Sequence, residues 1–372
     1  MLIGVPKEIK NHEYRVGLTP DSVNEVILHG HEVLVQSGAG TGIGAEDADY
    51  AAVGAEIVDG APEVFERAEM VVKVKEPLAV ERAMLREGQV LFTYLHLAPD
   101  PEQTEDLVRS KAVCIAYETV TSSAGGLPLL APMSEVAGRL SVQAAAHALE
   151  KVNGGKGMLL GGVPGVLPAK VVIIGGGVVG THAAHIAMGM GADTWVIDRS
   201  PEALKALWRQ FGRPLDTLYS TRTAIDRHVT DADVVIGGVL IPGAAAPKLV
   251  TADMVRRMKP GSVVVDVAID QGGCFETSHP TTHSDPTYIV DDVVHYCVAN
   301  MPGAVPRTST HALNNATLPH VLTLANKGYR QALMDDPHLR NGLNVHAGAV
   351  TCWEVAEALG YPWKSSFEAL RA

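Results

Sequence analysis

The chain has 372 residues, of which 47% are hydrophobic and 19% charged, and its formal net charge at pH 7 is −12. Length and composition predict two or three domains with large apolar cores and exclude wholesale disorder. The negative charge argues against nucleic acid or an anionic membrane as a partner, because both require a basic surface. No run of residues approaches the roughly 20 apolar residues of a membrane helix, so we expect no membrane association.

The N-terminal residues and the cysteines predict a cytoplasmic location. The segment MLIGVPK has no basic region before an apolar one, so it is not expected to be a signal peptide. The cysteines are widely spaced and form no CxxC motif, which favours free thiols in a reducing compartment. They are Cys114, Cys274, Cys297 and Cys352.

In the first third of the chain, short apolar runs alternate with helical patterns. The runs MLIGV, HEVLVQ, MVVKVK, QVLFTYLHL and AVCIAYETV are typical of strands. Helical patterns lie between them at residues 19–29, 47–54, 79–87 and 100–110. Strands that alternate with helices predict βαβ units and a parallel sheet with right-handed crossovers.

The middle of the chain repeats this order, and the last part is helical. AKVVIIGGGVVGTHAAHIAMGMGADTWVID predicts strand, glycine turn, helix and strand, and DADVVIGGVL and GSVVVDVAID predict two more buried strands. The segments SSAGGLPLLAPMS and NMPGAVP, rich in turn residues, indicate domain boundaries. After about residue 304 we expect helices that have no sheet of their own and that cover the first domain.

We therefore predict an α/β protein with two doubly wound, Rossmann-like domains whose sheets are mainly parallel and which are separated by a cleft. Residues 1–128 plus 305–372 form the first predicted domain, which is discontinuous, and residues 129–304 form the second. Clefts between such domains are preferred sites for small ligands.

A glycine-rich turn follows the first strand of the middle region. In VVIIGGGVVGTHAA, Gly175, Gly177 and Gly180 have the GxGxxG spacing between a buried strand and a helix. The first glycine permits a tight turn, the second lets the backbone approach a pyrophosphate, and the third lets the helix pack against the strand. The amino end of the helix favours phosphate binding. The predicted cofactor site also includes Val178 and Val179.

The next strand provides an acid at the expected place. DTWVID ends in Asp198, 18 residues after Gly180, where a carboxylate accepts a hydrogen bond from the adenosine ribose 2′-hydroxyl. Asp198 favours NAD over NADP because it would repel a 2′-phosphate, although Arg199 follows it directly. Residues 129–304 are therefore the predicted NAD-binding domain, and residues 1–128 plus 305–372 are the predicted substrate domain. The alternative is a purely structural glycine turn, which the register of strand, turn, helix and acid disfavours.

Polar residues lie at the ends of several apolar runs. VVKVK ends at Lys75, QVLFTYLH at His96 and GSVVVDVAID at Asp270, while Arg15 lies in the loop after the first strand. Ligands of open parallel sheets bind outside the carboxyl ends of the strands. Two cations, an imidazole and a carboxylate suit an anionic substrate that undergoes proton transfer. Lys73 is expected to lie on the same face as Lys75 and to be its outer, structural neighbour.

Each of these four polar residues also has a purely structural explanation. The lysine could extend to solvent from the strand end, the histidine could be a hydrogen-bonded core residue, and the aspartate could cap the QGG turn. Arg15 could pair with Glu13 or Glu8. The occurrence of all four at equivalent places favours a functional site.

Two other groups of potential metal ligands are incomplete. His182 and His185 share a helix face but have no evident acidic or cysteine partner. Cys274, His279 and His283 lie in one loop without a fourth ligand. Because structural zinc sites need four ligands, we predict no metal site.

Several longer motifs resemble those of the bacterial alanine dehydrogenase family. They are GVPKEIKNHEYRVGLTP, VVKVKEP, LFTYLHLA, LPLLAPMSEVAGRLSVQ, LGGVPGV, DVAIDQGGCFE and VANMPGAVPRTST. The resemblance extends nearly end to end and weakens after about residue 330. It implies a cytoplasmic homohexamer that uses NAD to convert L-alanine reversibly to pyruvate and ammonia by oxidative deamination.

The resemblance also implies roles for single residues. Arg15 and Lys75 would bind the substrate carboxylate and carbonyl oxygen. His96 would be the general acid and base, and Asp270 would assist the water and proton steps. The remaining implied residues would line the cofactor: Ser134 at the nicotinamide carboxamide, Asn300 and Met301 at the nicotinamide pocket, and Ser220, Val239 and Leu240 on the adenosine side.

Two positions depart from the family pattern. Members often carry a basic residue five positions after the ribose acid, where this chain has Ala203. Arg199 replaces the usual apolar neighbour of that acid. Both positions bear on the preference between NAD and NADP and leave the expected reaction unchanged.

Two other functions remain open at this stage. A transhydrogenase-type NAD(H)-binding component would pass hydride between two nicotinamides and would need a membrane partner but no amino-acid pocket. A non-catalytic NAD-binding module would have no reason to carry Arg15, Lys75, His96 and Asp270 together. Both alternatives therefore explain less of the sequence than an amino-acid dehydrogenase does.

Overall fold

The computed structural model describes residues 1–239 and 246–371. They divide into two compact units, one formed by Met1–Met133 and Val305–Ala372 and the other by Ser134–Ala304. Helix α6 (Ala131–Ala148) contains the first boundary, which lies slightly later in the chain than the predicted end of the first segment at residue 128. The second boundary coincides with the position expected from the proline- and glycine-rich segment NMPGAVP.

The first unit is built on an eight-stranded sheet in the order β15-β14-β6-β5-β4-β1-β2-β3. Strands β1 to β6 are parallel to their neighbours, whereas β14 is antiparallel to β6 and to β15. The strands are β1 (Leu2–Val5), β2 (Glu32–Gln36), β3 (Glu56–Val58), β4 (Met70–Val72), β5 (Val90–Thr93), β6 (Val113–Ala116), β14 (Leu343–His346) and β15 (Ala349–Val350).

Helices connect the strands of the first unit and form most of its C-terminal segment. The connecting helices are α1 (Pro20–Leu28), α2 (Asp47–Ala52), α3 (Ala61–Arg67), α4 (Ala79–Arg82) and α5 (Pro101–Ser110). The C-terminal helices are α11 (Pro306–Lys327), α12 (Tyr329–Asp335), α13 (Pro337–Arg340), α14 (Trp353–Leu359) and α15 (Ser366–Arg371). Short 3₁₀ turns lie after β2, at Thr41–Ile43, and after β6, at Tyr117–Thr119.

The second unit is built on a seven-stranded sheet in the order β12-β13-β11-β10-β7-β8-β9. All neighbouring strands are parallel except β12 and β13. The strands are β7 (Lys170–Ile174), β8 (Asp193–Asp198), β9 (Leu215–Tyr219), β10 (Val234–Gly237), β11 (Val263–Asp266), β12 (Thr287–Val290) and β13 (Val293–Tyr296). Besides α6, the helices are α7 (Val178–Gly189), α8 (Pro201–Phe211), α9 (Arg222–Thr230) and α10 (Ala252–Arg256).

Several helices begin with the same pair of residues, a capping side chain followed by proline. Thr19, Asp100 and Ser200 each accept a hydrogen bond from the backbone N–H three residues later, and each is followed by a proline at the first helical position. The side chain satisfies one of the unpaired N–H groups at the helix start. Proline fits this position because its fixed φ is already helical and the missing N–H would have no partner there.

The central strands of both sheets are buried on both faces. Every residue of β4, β5 and β6 in the first unit and of β10 and β11 in the second is buried. Parallel sheets covered by helices on both sides require such continuous apolar runs. The predicted α/β class with mainly parallel sheets is therefore confirmed, and no helix within the described residues is both long and apolar enough to cross a bilayer.

The C-terminal segment forms no sheet of its own, as expected, but it contributes two strands that were not predicted. Strand β14 joins the edge of the first sheet beside β6, where Leu343 lies opposite Ile115, and β15 extends that edge. The run LNVH is only four residues long, and its strand conformation depends on pairing with residues more than 200 positions away. A local pattern of this length does not distinguish a strand from a helical turn.

Three strands also end earlier than their apolar runs predicted. Strands β4, β5 and β11 end at Val72, Thr93 and Asp266, three or four residues before Lys75, His96 and Asp270. In the first unit the chains stay close beyond that point, because the Tyr94 N–H still donates to the Val74 carbonyl at 3.2 Å. The polar residues therefore lie in loops that continue from the strands.

Candidate active site

Four neighbouring strands of the first sheet, β6, β5, β4 and β1, direct their carboxyl ends to the same edge. The order of the sheet reverses between β4 and β1, since β2 lies on the far side of β1. Ligands of doubly wound sheets bind at such a reversal. Arg15 follows β1, Lys75 follows β4 and His96 follows β5, so the topology brings these three predicted residues to the same edge.

Lys75 lies in a loop that is anchored by the carboxylate of Glu8. Glu8 Oε1 accepts the N–H of Val74 at 2.7 Å and that of Lys75 at 3.4 Å. The Lys75 carbonyl accepts the Thr93 hydroxyl at 3.0 Å. The Lys75 side chain is only partly exposed, and its Nζ lies 3.8 Å from Glu76 Oε2. The Lys75 backbone is therefore hydrogen-bonded on one side to Glu8, in the loop after β1, and on the other to Thr93 of β5.

Lys73 is not the outer neighbour of Lys75, because its side chain is completely buried. Its Nζ donates to Glu81 Oε1 at 2.7 Å and to Glu8 Oε2 at 3.2 Å. Burial by itself lowers the pKa of the Lys73 ammonium group, but the two carboxylates outweigh it and hold this pKa above its ordinary value. Lys73 is thus a structural cation, and the two lysines of VVKVKEP have different environments.

Arg15 pairs with Glu13, as its structural explanation allowed. Its Nε and Nη2 donate to the two carboxylate oxygens of Glu13, and its Nη1 lies 3.0 Å from Met133 Sδ. Only 2% of the Arg15 side chain is exposed. The side-on pair fixes the plane of the guanidinium group, so its end-on nitrogens point in a defined direction. An ion pair with Glu13 and a role in binding an anion are therefore compatible.

His96 is exposed at 44% of its side chain and has an unusual backbone conformation, with φ of 50°. Its ring lies parallel to that of Tyr94, with an interplanar angle of 3° and a centroid distance of 5.8 Å. Tyr94 is buried, its hydroxyl donates to the Leu129 carbonyl, and burial raises its pKa well above the ordinary value. The imidazole is therefore not a core histidine and is accessible from one side.

Three acids beside these bases were not predicted as part of the site. Glu8 holds the Lys75 loop, Glu13 holds the Arg15 side chain, and Glu118 accepts the His96 N–H at 2.6 Å. Glu8 and Glu13 had been considered only as alternative partners of Arg15, and Glu118 was not singled out. Glu118 directly follows β6, so the same search along strand ends could have identified it.

In the second unit, the glycine turn has the geometry predicted from its spacing. Gly175 has a φ of 105°, which favours glycine. A Cβ atom on Gly180 would lie 1.8 Å from the Gly175 carbonyl oxygen, so helix α7 can approach the strand only without a side chain there. A Cβ atom on Gly177 would meet no described atom within 4 Å. Open space therefore lies in front of Gly177, at the amino end of α7.

The acid of the adjacent strand is bonded to this turn. Asp198 Oδ2 accepts the Gly176 N–H and Oδ1 accepts the Ser200 N–H, both at 2.6 Å. The Ser220 N–H donates to the Asp198 carbonyl at 2.9 Å, so Ser220 lies at the end of the next strand, β9. Gly177, Asp198 and Ser220 thus follow three adjacent strands, as a dinucleotide site in this fold requires.

Asp270 lies beyond β11 in a 3₁₀ turn, Val267–Gln271, and is exposed. The loop is held by the buried Asp266, whose carboxylate accepts the N–H groups of Ala268 at 3.2 Å and Cys274 at 2.9 Å. Burial raises the pKa of Asp266 above its ordinary value. Asp266 is therefore the structural acid of this strand end and Asp270 the accessible one.

The other predicted cofactor residues also lie in the second unit. Asn300 has a φ of 62°, and its carbonyl accepts a hydrogen bond from His283 Nε2 at 3.1 Å. Met301 is buried. The remaining four are at least partly exposed: Ser134 on α6, Val178 and Val179 on α7, and Val239 after β10. Leu240 lies outside the described residues.

Among the described residues, no group of His, Cys, Asp or Glu side chains is arranged to hold a metal ion. The candidates from the sequence have other contacts. His182 Nδ1 lies 3.1 Å from Arg139 Nε, and the ring of His279 stacks on that of Tyr288 at a centroid distance of 3.7 Å. Cys274 is buried against Asp266.

The structure thus groups the predicted residues into two sets. Arg15, Lys75 and His96 lie at one edge of the first sheet, and the glycine turn, Asp198 and Asp270 lie at carboxyl ends of strands in the second. The first set offers cations and an imidazole for a small anion. The second offers backbone N–H groups, open space and an acid for a dinucleotide.

Comparisons with known proteins cover the whole chain. Residues 4–137 match the model described as "Alanine dehydrogenase/PNT, N-terminal domain", and residues 141–353 match "Alanine dehydrogenase/PNT, C-terminal domain". An alanine dehydrogenase from Halomonas elongata is 59% identical over 360 residues, which cover 97% of each chain.

Two solved structures are similar over nearly their full length. One is titled L-alanine dehydrogenase, with 54% identity, a TM-score of 0.94, and coverage of 97% of this chain and 99% of that one. The other is a transhydrogenase from Sinorhizobium meliloti, with 26% identity, a TM-score of 0.80, and coverage of 94% and 98%. Both domain models and the full-length identity agree, and the chain belongs to the alanine dehydrogenase/PNT family.

Proposed function

We infer that this protein is an NAD-dependent amino-acid dehydrogenase that converts L-alanine reversibly to pyruvate and ammonia. The observation that carries this inference is identity of 53–59% over essentially the full chain to alanine dehydrogenases from several organisms. The grouping of Arg15, Lys75 and His96 at one sheet edge supports it. Small molecules, namely L-alanine, pyruvate and ammonia, are accordingly the expected partners.

A nicotinamide dinucleotide fits the glycine turn of the second unit. The space in front of Gly177 and the amino end of α7 suit a pyrophosphate. When bound, the cofactor accepts and returns the hydride. We propose NAD rather than NADP, because the Asp198 carboxylate beside Gly176 would accept a ribose 2′-hydroxyl and repel a 2′-phosphate. Ser134, Val178, Val179, Ser220, Val239, Asn300 and Met301 complete the proposed cofactor site.

The proposed substrate site uses the three bases of the first unit. Arg15, oriented by Glu13, would bind the substrate carboxylate through its end-on nitrogens. Lys75 would place a positive charge against the oxygen that becomes the pyruvate carbonyl. Tyr94 and Met133 are near Arg15 or His96 and would bound a pocket for a small side chain.

His96 would transfer protons while the substrate changes from amine to ketone. Loss of hydride from the alanine α-carbon leaves an iminium, water adds to it, and the resulting carbinolamine loses ammonia. Each step after hydride transfer moves a proton at oxygen or nitrogen, which an accessible imidazole can accept and return. Asp270, the exposed acid of the second unit, would assist the addition of water.

Two alternative functions are less well supported. The transhydrogenase structure has 26% identity to this chain, less than half of the identity of the alanine dehydrogenases. A non-catalytic NAD-binding module would not need an acid that contacts the backbone or side chain of each of Arg15, Lys75 and His96. Neither alternative uses the first unit's site.

We also propose a homohexamer in the cytoplasm. The segment from residue 152 to 167 of the second unit exposes a series of large apolar side chains: Val152, Leu159, Val163, Val166 and Leu167. Contiguous apolar surface of this kind is typical of protein interfaces. Its burial between subunits would remove these side chains from water.

NADH formation at 340 nm with L-alanine tests the proposed function. We expect activity with NAD, much less with NADP, and a fall of about 10²–10³-fold in kcat/KM for Lys75→Ala, because one fixed charge at the reacting oxygen is lost. Lys205→Ala is the control, since this lysine is exposed and pairs with Glu202. Folded wild-type protein that binds NADH but oxidises no amino acid would contradict the assignment.

A further inference from the structure

The Glu118 carboxylate contacts the backbone of Leu95 and both the backbone and the ring of His96. Its Oε1 accepts the His96 N–H at 2.6 Å, and both carboxylate oxygens lie 3.2 Å from the Leu95 N. Only 12% of the Glu118 side chain is exposed. A charged acceptor that is shielded from water binds such N–H groups strongly.

These bonds hold His96 in a backbone conformation that it would not otherwise favour. Its φ of 50° lies in the left-handed region, which is uncommon for residues other than glycine, although histidine adopts it more often than most. Such conformations persist where surrounding contacts determine them, and they are frequent at functional sites. The acid after β6 therefore sets the direction in which the loop after β5 presents its imidazole.

The same carboxylate faces the ring. His96 Nδ1 lies 3.9 Å from Glu118 Oε1, while the parallel ring of Tyr94 covers one face of the imidazole. A negative charge on the Nδ1 side favours the tautomer that carries its proton on Nδ1. Nε2, on the opposite side of the ring, is then the nitrogen that exchanges protons with a substrate.

We propose that Glu118 is the positioning residue of His96: it fixes the backbone and the tautomer of the histidine so that Nε2 carries out the proton transfers. This inference rests on the proposed function, in which His96 is the proton carrier. Glu118, which lies after the neighbouring strand β6, would act on the reaction through the imidazole of His96 and would not contact the substrate.

The test is Glu118→Gln, measured in the wild-type and His96→Ala backgrounds. The amide oxygen can still accept the Leu95 and His96 N–H groups, so the fold and NADH binding should be retained. We expect kcat to fall about 10- to 100-fold, which is less than the roughly 10²–10⁴-fold that a general acid or base itself contributes, while KM for L-alanine changes less than threefold. The solvent deuterium isotope effect on kcat should rise, because proton transfer becomes slower.

The double variant separates positioning from a merely structural role. If Glu118 acts through His96, adding Glu118→Gln to His96→Ala should change the residual rate less than twofold. Asp47→Asn is the matched control, since Asp47 also accepts a backbone N–H, that of Gly38 at 2.7 Å, in a different part of the first unit. It should leave kcat and the isotope effect unchanged.

Glu118→Ala, which also loses the hydrogen bonds to the Leu95 and His96 N–H groups, should lower kcat further. Three results would overturn the inference: an unchanged kcat in both Glu118→Gln and Glu118→Ala, an unchanged solvent isotope effect in both, or the same fold-loss in both backgrounds. A wild-type enzyme that oxidises L-alanine alongside any of these results leaves the proposed function intact. A wild-type protein without alanine turnover would refute the proposed function, and this inference with it.

Discussion

The glycines of the turn after β7 differ in what a side chain would meet. A Cβ atom on Gly180 would collide with the backbone oxygen of Gly175, whereas one on Gly177 would extend into open space. The first position is therefore required by packing of the protein itself. The second is not, so its lack of a side chain points to a bound molecule.

We expect Gly180→Ala to lower stability and Gly177→Ala to lower cofactor affinity. The first substitution forces helix α7 away from the strand, at a cost of about 1–3 kcal/mol, which calorimetry would detect as a reduced Tm. The second should leave Tm unchanged but weaken NADH binding about tenfold or more, measured by NADH fluorescence. A Gly177→Ala variant with normal NADH affinity would show that no phosphate approaches this residue.

At the candidate substrate site, each of the three basic residues is contacted by an acidic residue. Glu8, Glu13 and Glu118 contact the loops or side chains of Lys75, Arg15 and His96. Glu13 binds the Arg15 side chain, whereas Glu8 and Glu118 bind the backbone of Lys75 and His96. Arg15 and Glu13 form a buried ion pair, and removing either partner of such a pair is costly, because the other is left as an uncompensated charge.

At the level of elements, ion pairs join the short helix α4 to α5. Arg82 Nε donates to Asp106 Oδ2 at 2.7 Å and Arg82 Nη2 to Glu102 Oε1 at 2.9 Å. The hydrogen bond from Arg82 holds the pKa of Asp106 below its ordinary value. Because α4 has only four residues, contacts outside the helix must contribute to its stability.

The stability contributed by this pair should depend on pH. An acid whose pKa is lower in the folded state stabilises the fold above its unfolded pKa of about 3.9, and this contribution is lost as the pH falls through the lower, folded-state pKa. We expect Asp106→Asn to reduce the free energy of unfolding by about 1 kcal/mol or less at pH 7. Thermal unfolding from pH 7 to 3 should show the difference from wild type disappearing at the acid end.

The matched control for this experiment is Glu105→Gln, which replaces an exposed acid on the same helix that pairs with Arg109. It removes the same charge without touching α4. A difference between Asp106→Asn and wild type that is constant across the pH range would contradict the assigned cause.

On the scale of the molecule, the C-terminal segment returns to complete the first unit. Helix α11 contacts the loop after β1, where Asn314 Oδ1 accepts the Thr19 N–H at 2.9 Å and Nδ2 donates to the Gly17 carbonyl at 3.2 Å. Arg15 lies two residues before Gly17. One buried amide thus joins residues almost 300 positions apart in the chain and supports the loop that carries a proposed substrate ligand.

Replacing this amide should destabilise the first unit. Asn314→Ala leaves the Thr19 N–H without its partner, which costs about 1–3 kcal/mol, and denaturant unfolding would measure the loss. Asn315→Ala is the control, because the neighbouring asparagine is exposed and its removal should change the free energy by less than about 0.5 kcal/mol. Equal stability of the two variants would show that this tether is unimportant.

Much of the fold and part of the site could be predicted from local patterns. Continuous valine-rich runs predicted β7, β10 and β11, because a strand buried on both faces needs apolar residues at every position. The spacing of Gly175, Gly177 and Gly180 predicted the turn, because each glycine answers a local steric requirement. The strand-end rule identified Lys75 and His96 even though β4 and β5 end three residues earlier.

Other features depend on contacts between distant residues, and only the tertiary structure decided them. Strand β14 exists because β6 offers an unpaired edge, and Lys73 is buried because Glu8 and Glu81 meet it there. Glu118 contacts His96 because β6 lies beside β5. By itself, the sequence predicted which polar residues lie near strand ends and which elements are buried, since those are local properties. Glu13 lies two residues from Arg15, and their pairing could also be anticipated from the sequence. The contacts of Glu8 with Lys75 and of Glu118 with His96 were decided by strand order, since these partners are neighbours in space and not in the chain.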